Sequence, residues 1–226
     1  MALPNATMSL RVLARLLSYP DAELRGHLDD MRGALHGEGV VPPARMAELD
    51  ALMRRLGTGD ALENEADYVQ LFDRGRATSL HLFEHVHGDC RERGPAMIDL
   101  TQTYEKAGLF LAPGELPDYL PVLLEFASTQ PPKESRALLA EVAHILNAIF
   151  SALVKRESHY ACVIAALLEL AGEKVQAVKV TEDAPLDETW AEPVVFDGCS
   201  TQGQARPGQP QPITVVRKNP STGVVA

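Results

Sequence analysis

The chain has 226 residues, 46% of them hydrophobic, and a formal net charge of −10. That is enough apolar material for one filled core. The acidity argues against nucleic acid as a partner, because phosphate binding wants a basic face, and favours a partner that is itself basic. Three cysteines, Cys90, Cys162 and Cys199, are far apart, odd in number and free of CxxC pairs, so a reducing compartment is expected rather than a disulfide framework. Residues 1–9 show no secretion signal, and the longest apolar stretch, Ala161 to Gly172, is interrupted by Glu169. It reads as a buried helix and not a membrane span, and the expected location is the cytoplasm.

Helical patterning runs through the first 172 residues. Ser9 is placed to cap a short helix striped by Leu10, Leu13, Leu16 and Leu17. Pro20 and Asp21 end it and start a second helix, which runs to Leu35 and stops near Gly37. Pro42 and Pro43 suit the first turn of a third, ending at Gly57. Asp60 opens a fourth, to about Asp73. Residues 76–88 are less regular and dense in histidine and aromatic side chains. Helical spacing resumes at Pro95 and stops at Gly108, and Pro117 to Ala127 makes a short apolar helix. Pro131 and Pro132 open a long one, with Leu138, Val142, Ile145, Leu146, Ile149 and Leu153 in a broad stripe. Such breadth predicts neighbours on several sides. Ala161 to Leu170, apolar almost all round, belongs in the core.

Composition changes after Gly172. Residues 173–226 hold six prolines and little periodicity, and are expected to form a mostly disordered tail. The tail carries a net −2, so the helical body carries −8, where a binding face would lie. The fold expected is all-α: a single helical bundle over residues 1–172 with a flexible Pro/Gly-rich tail.

His81, Glu84 and His85 form an H-x-x-E-H pattern. On a helix both rings would share a face and ligate zinc, with Glu84 polarising water, as in inverted zinc peptidases. Against a zinc hydrolase stand the loop-like start of the pattern, the arginines just upstream and the lack of a distinctive third ligand. The competing reading is a histidine pair on a helix face. His87 adds a third imidazole within seven residues, a group able to titrate near neutrality. Neither a nucleophile elbow nor a phosphate loop occurs.

What remains is an apolar–aromatic face beside acids. Tyr68, Leu71 and Phe72 lie at helical spacing, and Tyr119, Leu123 and Phe126 stripe a later helix, with Asp118 and Glu125 nearby. An amphipathic peptide helix suits such a groove, with basic residues on an acidic rim. Ordinary core is the competing reading for these aromatics.

Two stretches carry a specific resemblance. Tyr68-Val69-Gln70-Leu71-Phe72-Asp73-Arg74-Gly75, followed by Ser79-Leu80-His81-Leu82-Phe83-Glu84-His85-Val86-His87-Gly88, resembles the signature of the NarJ-type nitrate reductase assembly chaperones. Glu115-Leu116-Pro117-Asp118-Tyr119-Leu120-Pro121, with Leu124-Glu125-Phe126, is similar to a second stretch of the same family. In the wider TorD/DmsD group of redox-enzyme chaperones a histidine stands where this chain has Tyr119. The resemblance covers about residues 10–170. It implies an all-helical domain with no metal, no cofactor and no catalysis of its own. It further implies binding to the N-terminal segment of the catalytic α subunit of a respiratory nitrate reductase, insertion of the molybdenum cofactor while that subunit is held, and delayed membrane docking. Under it, Tyr68, Phe72, Leu82 and Tyr119 are candidate groove walls and Asp118 and Glu125 candidate acidic contacts for a basic amphipathic peptide. Glu84, His85 and His87 are candidates for shaping the groove.

Overall fold

The computed structural model describes residues 4–86 and 92–178. Among them no strand forms, and eleven α-helices make up the body. The first is α1 (Thr7–Leu16). Ser9 lies inside it, fully buried, and does not cap it. The cap comes from a distance: the Glu38 carboxylate accepts from the amides of Met8 (3.0 Å) and Ser9 (2.6 Å). An acid there also meets the positive end of the helix dipole.

The expected second helix is two, α2 (Ala22–Gly26) and α3 (Leu28–Glu38), parted at His27. Asp21 caps α2 through the amide of Leu24. Next come α4 (Pro43–Thr58), with proline in its first turn, and α5 (Ala61–Tyr68), capped by Asp60 on the amide of Glu63. Instead of ending, α5 widens into a π-helical turn, Val69–Asp73, and a 3-10 turn follows at Arg76–Thr78. Single π turns of this kind recur at functional positions.

Beyond it lie α6 (Leu82–Val86), α7 (Arg93–Lys106), α8 (Leu120–Thr129), α9 (Pro132–Glu141), α10 (Ala143–Lys155) and α11 (Ala161–Ala171). The long helix expected from Pro131 breaks at Val142, where α9 and α10 meet at 61°. The bend lets both halves pack on α11, which a straight rod would not. Helix α11 buries nine of its residues and touches α1, α4, α9 and α10, so it is the centre of the core. The pair α1 and α8 closes the core on another side. Burial also lifts the Cys162 thiol to about 12, which makes it an inert core residue.

Gly172 ends α11 with φ +75°, the left-handed cap that glycine adopts freely. At the end of α10 the same kind of cap falls on Glu157, φ +53°. There the amide of Ser158 reaches back to the carbonyl of Leu153. A side chain in this region is strained, so Glu157→Gly should stabilise the fold by about 1 kcal/mol. Urea unfolding at neutral pH would show the gain, and a lower midpoint would contradict it.

After Gly172 the chain continues extended along α10. The Asn147 side chain accepts from the amide of Gln176 (2.8 Å) and Ser151 Oγ accepts from the amide of Val178 (2.9 Å). Residues 173–178, expected to belong to a disordered tail, are therefore tied to the helical body. The rest of the expected tail lies outside the described residues. No helix among the described residues is by itself long and apolar enough to cross a membrane.

Candidate functional site

The two motif stretches meet in space. Residues 80–82 run antiparallel to residues 118–120, with Leu82 N donating to Asp118 O (3.0 Å) and Leu120 N to Leu80 O (2.8 Å). His81 and Tyr119 face each other across this short bridge, ring centroids 5.2 Å apart. Tyr104 Oη holds the second stretch from behind by donating to Pro117 O (2.9 Å).

Asp118 is the hidden anchor. It is fully buried. Its carboxylate accepts from His81 Nδ1 (3.3 Å) and from the amide of Phe83 (3.2 Å), and Arg93 approaches to 3.8 Å. A buried carboxylate is tolerated only with such partners. The expected solvent-facing acid at this position is thus corrected: Asp118 points inward and organises the loop. His85 serves the same loop, its Nε2 on Ser79 O at 2.8 Å. Leu82 is 2% exposed and belongs to the core, not to a groove wall.

In front of the bridge lies a cleft of about 380 Å3. Tyr68, Phe72 and Tyr119 supply aromatic surface, and Asp73, Arg74, Arg76, His81 and Glu84 supply charge and polarity. Tyr68 and Phe72 are nearly buried and form its floor, whereas Tyr119 is half-buried. Tyr68 Oη donates to Leu17 O (2.7 Å) and lies 3.2 Å from Tyr119 Oη. Burial, first of all, pushes the Tyr68 phenol far above its ordinary value, so it remains a neutral donor. Tyr68 and Phe72 are core side chains that also line the cleft.

Glu125 is not in this cleft. It borders a separate groove of about 420 Å3, with Arg11, Val122, Phe126 and the loop around Phe110, which is 79% exposed. Helical spacing alone had joined Glu125 to Tyr119, but the start of α8 turns them to different faces. His87 lies outside the described residues. Arg93 and the π turn escaped sequence reasoning, and Gly75 was read only as part of a motif and not for the space it leaves beside the π turn.

A hydrogen bond to Asp118, partly offset by burial, raises the His81 pKa above its usual 6.5. Its protonated pair with Asp118 contributes in full below the unfolded value, and the contribution is lost as pH rises through the folded value. Stability should therefore fall from about pH 6.5 upward. Asp118→Asn should flatten that dependence in urea midpoints taken across the range. An unchanged slope would remove His81 as its source.

The zinc arrangement does not assemble. His81 precedes α6 and is turned to Asp118, while His85 is turned to Ser79 O. No group of three metal-binding side chains occurs among the described residues.

Comparison with known proteins agrees with the geometry. Residues 41–166 match the family described as nitrate reductase delta subunit. The chain is 43% identical over 195 residues to the nitrate reductase molybdenum cofactor assembly chaperone NarJ of Escherichia coli K12, covering 82% of this chain and 83% of NarJ. The chain belongs to the nitrate reductase delta subunit family. A second Escherichia coli K12 relative, named as a probable nitrate reductase molybdenum cofactor assembly chaperone, NarW, is 37% identical over 179 residues, 79% of this chain and 74% of that one. The crystal structure of a redox enzyme maturation protein from Archaeoglobus fulgidus superposes with a TM-score of 0.52 at 20% identity, covering 74% of this chain and 94% of that one. At that identity it supports the helical fold alone.

Both relatives are named for assembly of a nitrate reductase's molybdenum cofactor, and His81 and His85 of this chain are turned to different partners. In this member of the family, both stretches that carried the resemblance converge on one cleft.

Proposed function

We propose that this chain is an assembly chaperone whose client is the catalytic α subunit of a respiratory nitrate reductase. It binds that subunit's N-terminal segment, holds it for molybdenum cofactor insertion and delays its docking to the membrane. The names of its relatives support the kind of client. One observation carries the choice of site: the bridge between residues 80–82 and 118–120 sets Tyr119 and His81 at the mouth of an aromatic-floored cleft.

An amphipathic helix would lay apolar side chains on Tyr68, Phe72 and Tyr119. Asp73 and Glu84 would receive its basic residues, while Arg74 and Arg76 on the same rim would repel a misplaced base. Charge here sets register, and the net negative body favours approach of a basic segment.

Calorimetry with a synthetic peptide of the α subunit's N-terminus tests this. Saturable binding is expected, and Tyr119→Ala should weaken it by about 1–2 kcal/mol, roughly five- to thirtyfold. Glu125→Ala should leave it unchanged. The exposed Phe110 favours a second reading, with the peptide in the Glu125 groove. If Phe110→Ser abolishes binding while Tyr119→Ala keeps it, the peptide belongs there and the cleft assignment is wrong.

A further inference from the structure

The π turn also sets what lies beside the cleft. Within it the amide of Arg74 donates to Val69 O (3.1 Å), five residues back instead of four. Such a turn adds one residue to the helix surface. Val69 is therefore followed along its line by Arg74, where an unbroken α-helix would set Asp73. Asp73 borders the cleft, whereas Arg74 borders both the cleft and a neighbouring open depression of about 380 Å3.

That depression runs back along α5. Leu62, Ala66 and Val69 line it at i, i+4 and i+7, one stripe of the helix surface. Leu62 is 76% exposed, and Ala66 is exposed as well. Tyr19 flanks the stripe and is itself exposed. Its ring stands edge-on to Tyr68 of the cleft floor, centroids 5.7 Å apart, and its hydroxyl donates to Glu65 (2.9 Å). The ring is thus held in place before any partner arrives, which lowers the entropy lost on binding. Stripe and cleft floor form one path, joined at Tyr19, Tyr68 and Arg74.

The charges along the path are unequal. Glu65, which also lines the depression, is already held by Arg25 (2.9 Å) and by Tyr19. It is therefore not available to answer Arg74, whose side chain is exposed. A guanidinium between two apolar surfaces needs an acceptor in whatever covers them. An apolar cover would strip its water and return nothing. From Leu62 to Arg74 the path is about 18 Å long, roughly three turns of helix, and a ridged helix surface of this kind receives a second helix.

We propose that the client helix seated in the cleft continues across Arg74 onto the stripe of Tyr19, Leu62 and Val69, and that Arg74 selects a client carrying an acidic side chain between two apolar groups. The inference rests on the client reading of the cleft and names what that client must contain. On a body whose net charge is negative, Arg74 is a local exception, so it fixes the register of an otherwise basic segment.

The full chain is titrated by calorimetry with a synthetic α-subunit N-terminal peptide of about 20 residues, long enough as a helix to span both surfaces. Leu62→Ser should weaken binding at least fivefold with thermal stability unchanged, because the side chain is exposed. Arg74→Gln should weaken it at least threefold. Replacing the peptide's acidic residue by its amide should weaken binding to the wild-type chain by the same factor and leave binding to the Arg74→Gln chain unaltered, the mark of a direct pair. No effect of Arg74→Gln, or full affinity of a peptide without the acid, would overturn the selection. Weaker binding by Tyr119→Ala with none lost by Leu62→Ser would overturn the extension and leave the client reading standing, whereas no binding by the wild-type chain would overturn both. If Leu62→Ser changes sedimentation and not peptide affinity, the stripe belongs to a second copy of the chain and the proposal fails.

Discussion

Replacing Asp118 with alanine should cost the fold about 3 kcal/mol or more, among the largest losses available to a single polar residue here. The carboxylate is fully buried and serves the amide of Phe83, the ring of His81 and the Arg93 guanidinium. Alanine leaves all three without this acceptor, and two of them carry or can carry positive charge. The backbone pairing between Leu82 and Asp118 survives the change, so helix content should persist while loop 79–83 loses its anchor. Asp118→Asn keeps an acceptor for the Phe83 amide and should cost about half as much. Urea unfolding of both variants measures the difference, and peptide calorimetry should show weakened binding because His81 and Tyr119 are no longer held in register. A loss under about 0.5 kcal/mol for alanine would mean that Asp118 is not the anchor.

Gly75→Ala should cost about 2–3 kcal/mol, although its φ of −99° suits any residue. The obstacle is space. A Cβ would stand 2.7 Å from the carbonyl oxygen of Leu71 and 2.8 Å from Arg156 Nη1, and would overlap Thr78 Oγ1. Arg156 can move. The Leu71 carbonyl belongs to the π turn, and the buried Thr78 hydroxyl is bonded both to that carbonyl and to Gly75 O. Relief therefore requires the π turn to shift, and with it Phe72 and the cleft floor. Thermal unfolding with near-UV circular dichroism of the tyrosines would register both effects. A variant with wild-type stability and spectrum would show that the turn yields easily.

The boundaries of most helices were readable because their causes are local. Asp21 and Asp60 cap from three residues away, Pro43 and Pro132 fill first turns, and Gly172 closes α11. Where the cause was distant, reading along the chain failed. Ser9 looked like the cap of α1, but Glu38 does that work from the end of α3. The stripe from Leu138 to Leu153 gave no hint of the bend at Val142, because periodicity records which residues are buried and not what they are buried against.

The candidate site divides the same way. The two motif stretches identified the family, and the structure brings Tyr68, Phe72 and Tyr119 to one cleft while Phe126 borders another. Asp118 and Glu125, seven residues apart, nevertheless passed for a pair of surface acids.

Residue order by itself determined the all-helical class, most helix starts, the buried character of α11 and the membership of the delta-subunit family. Each depends on interactions within a turn or two of helix, or on a stretch of residues read in sequence. Only the tertiary structure decided that Asp118 turns inward to His81 across a gap of 37 residues and that Glu125 borders another groove. Those outcomes depend on which helices pack together. Packing sums many weak contacts over the whole core, so no short stretch of sequence encodes it.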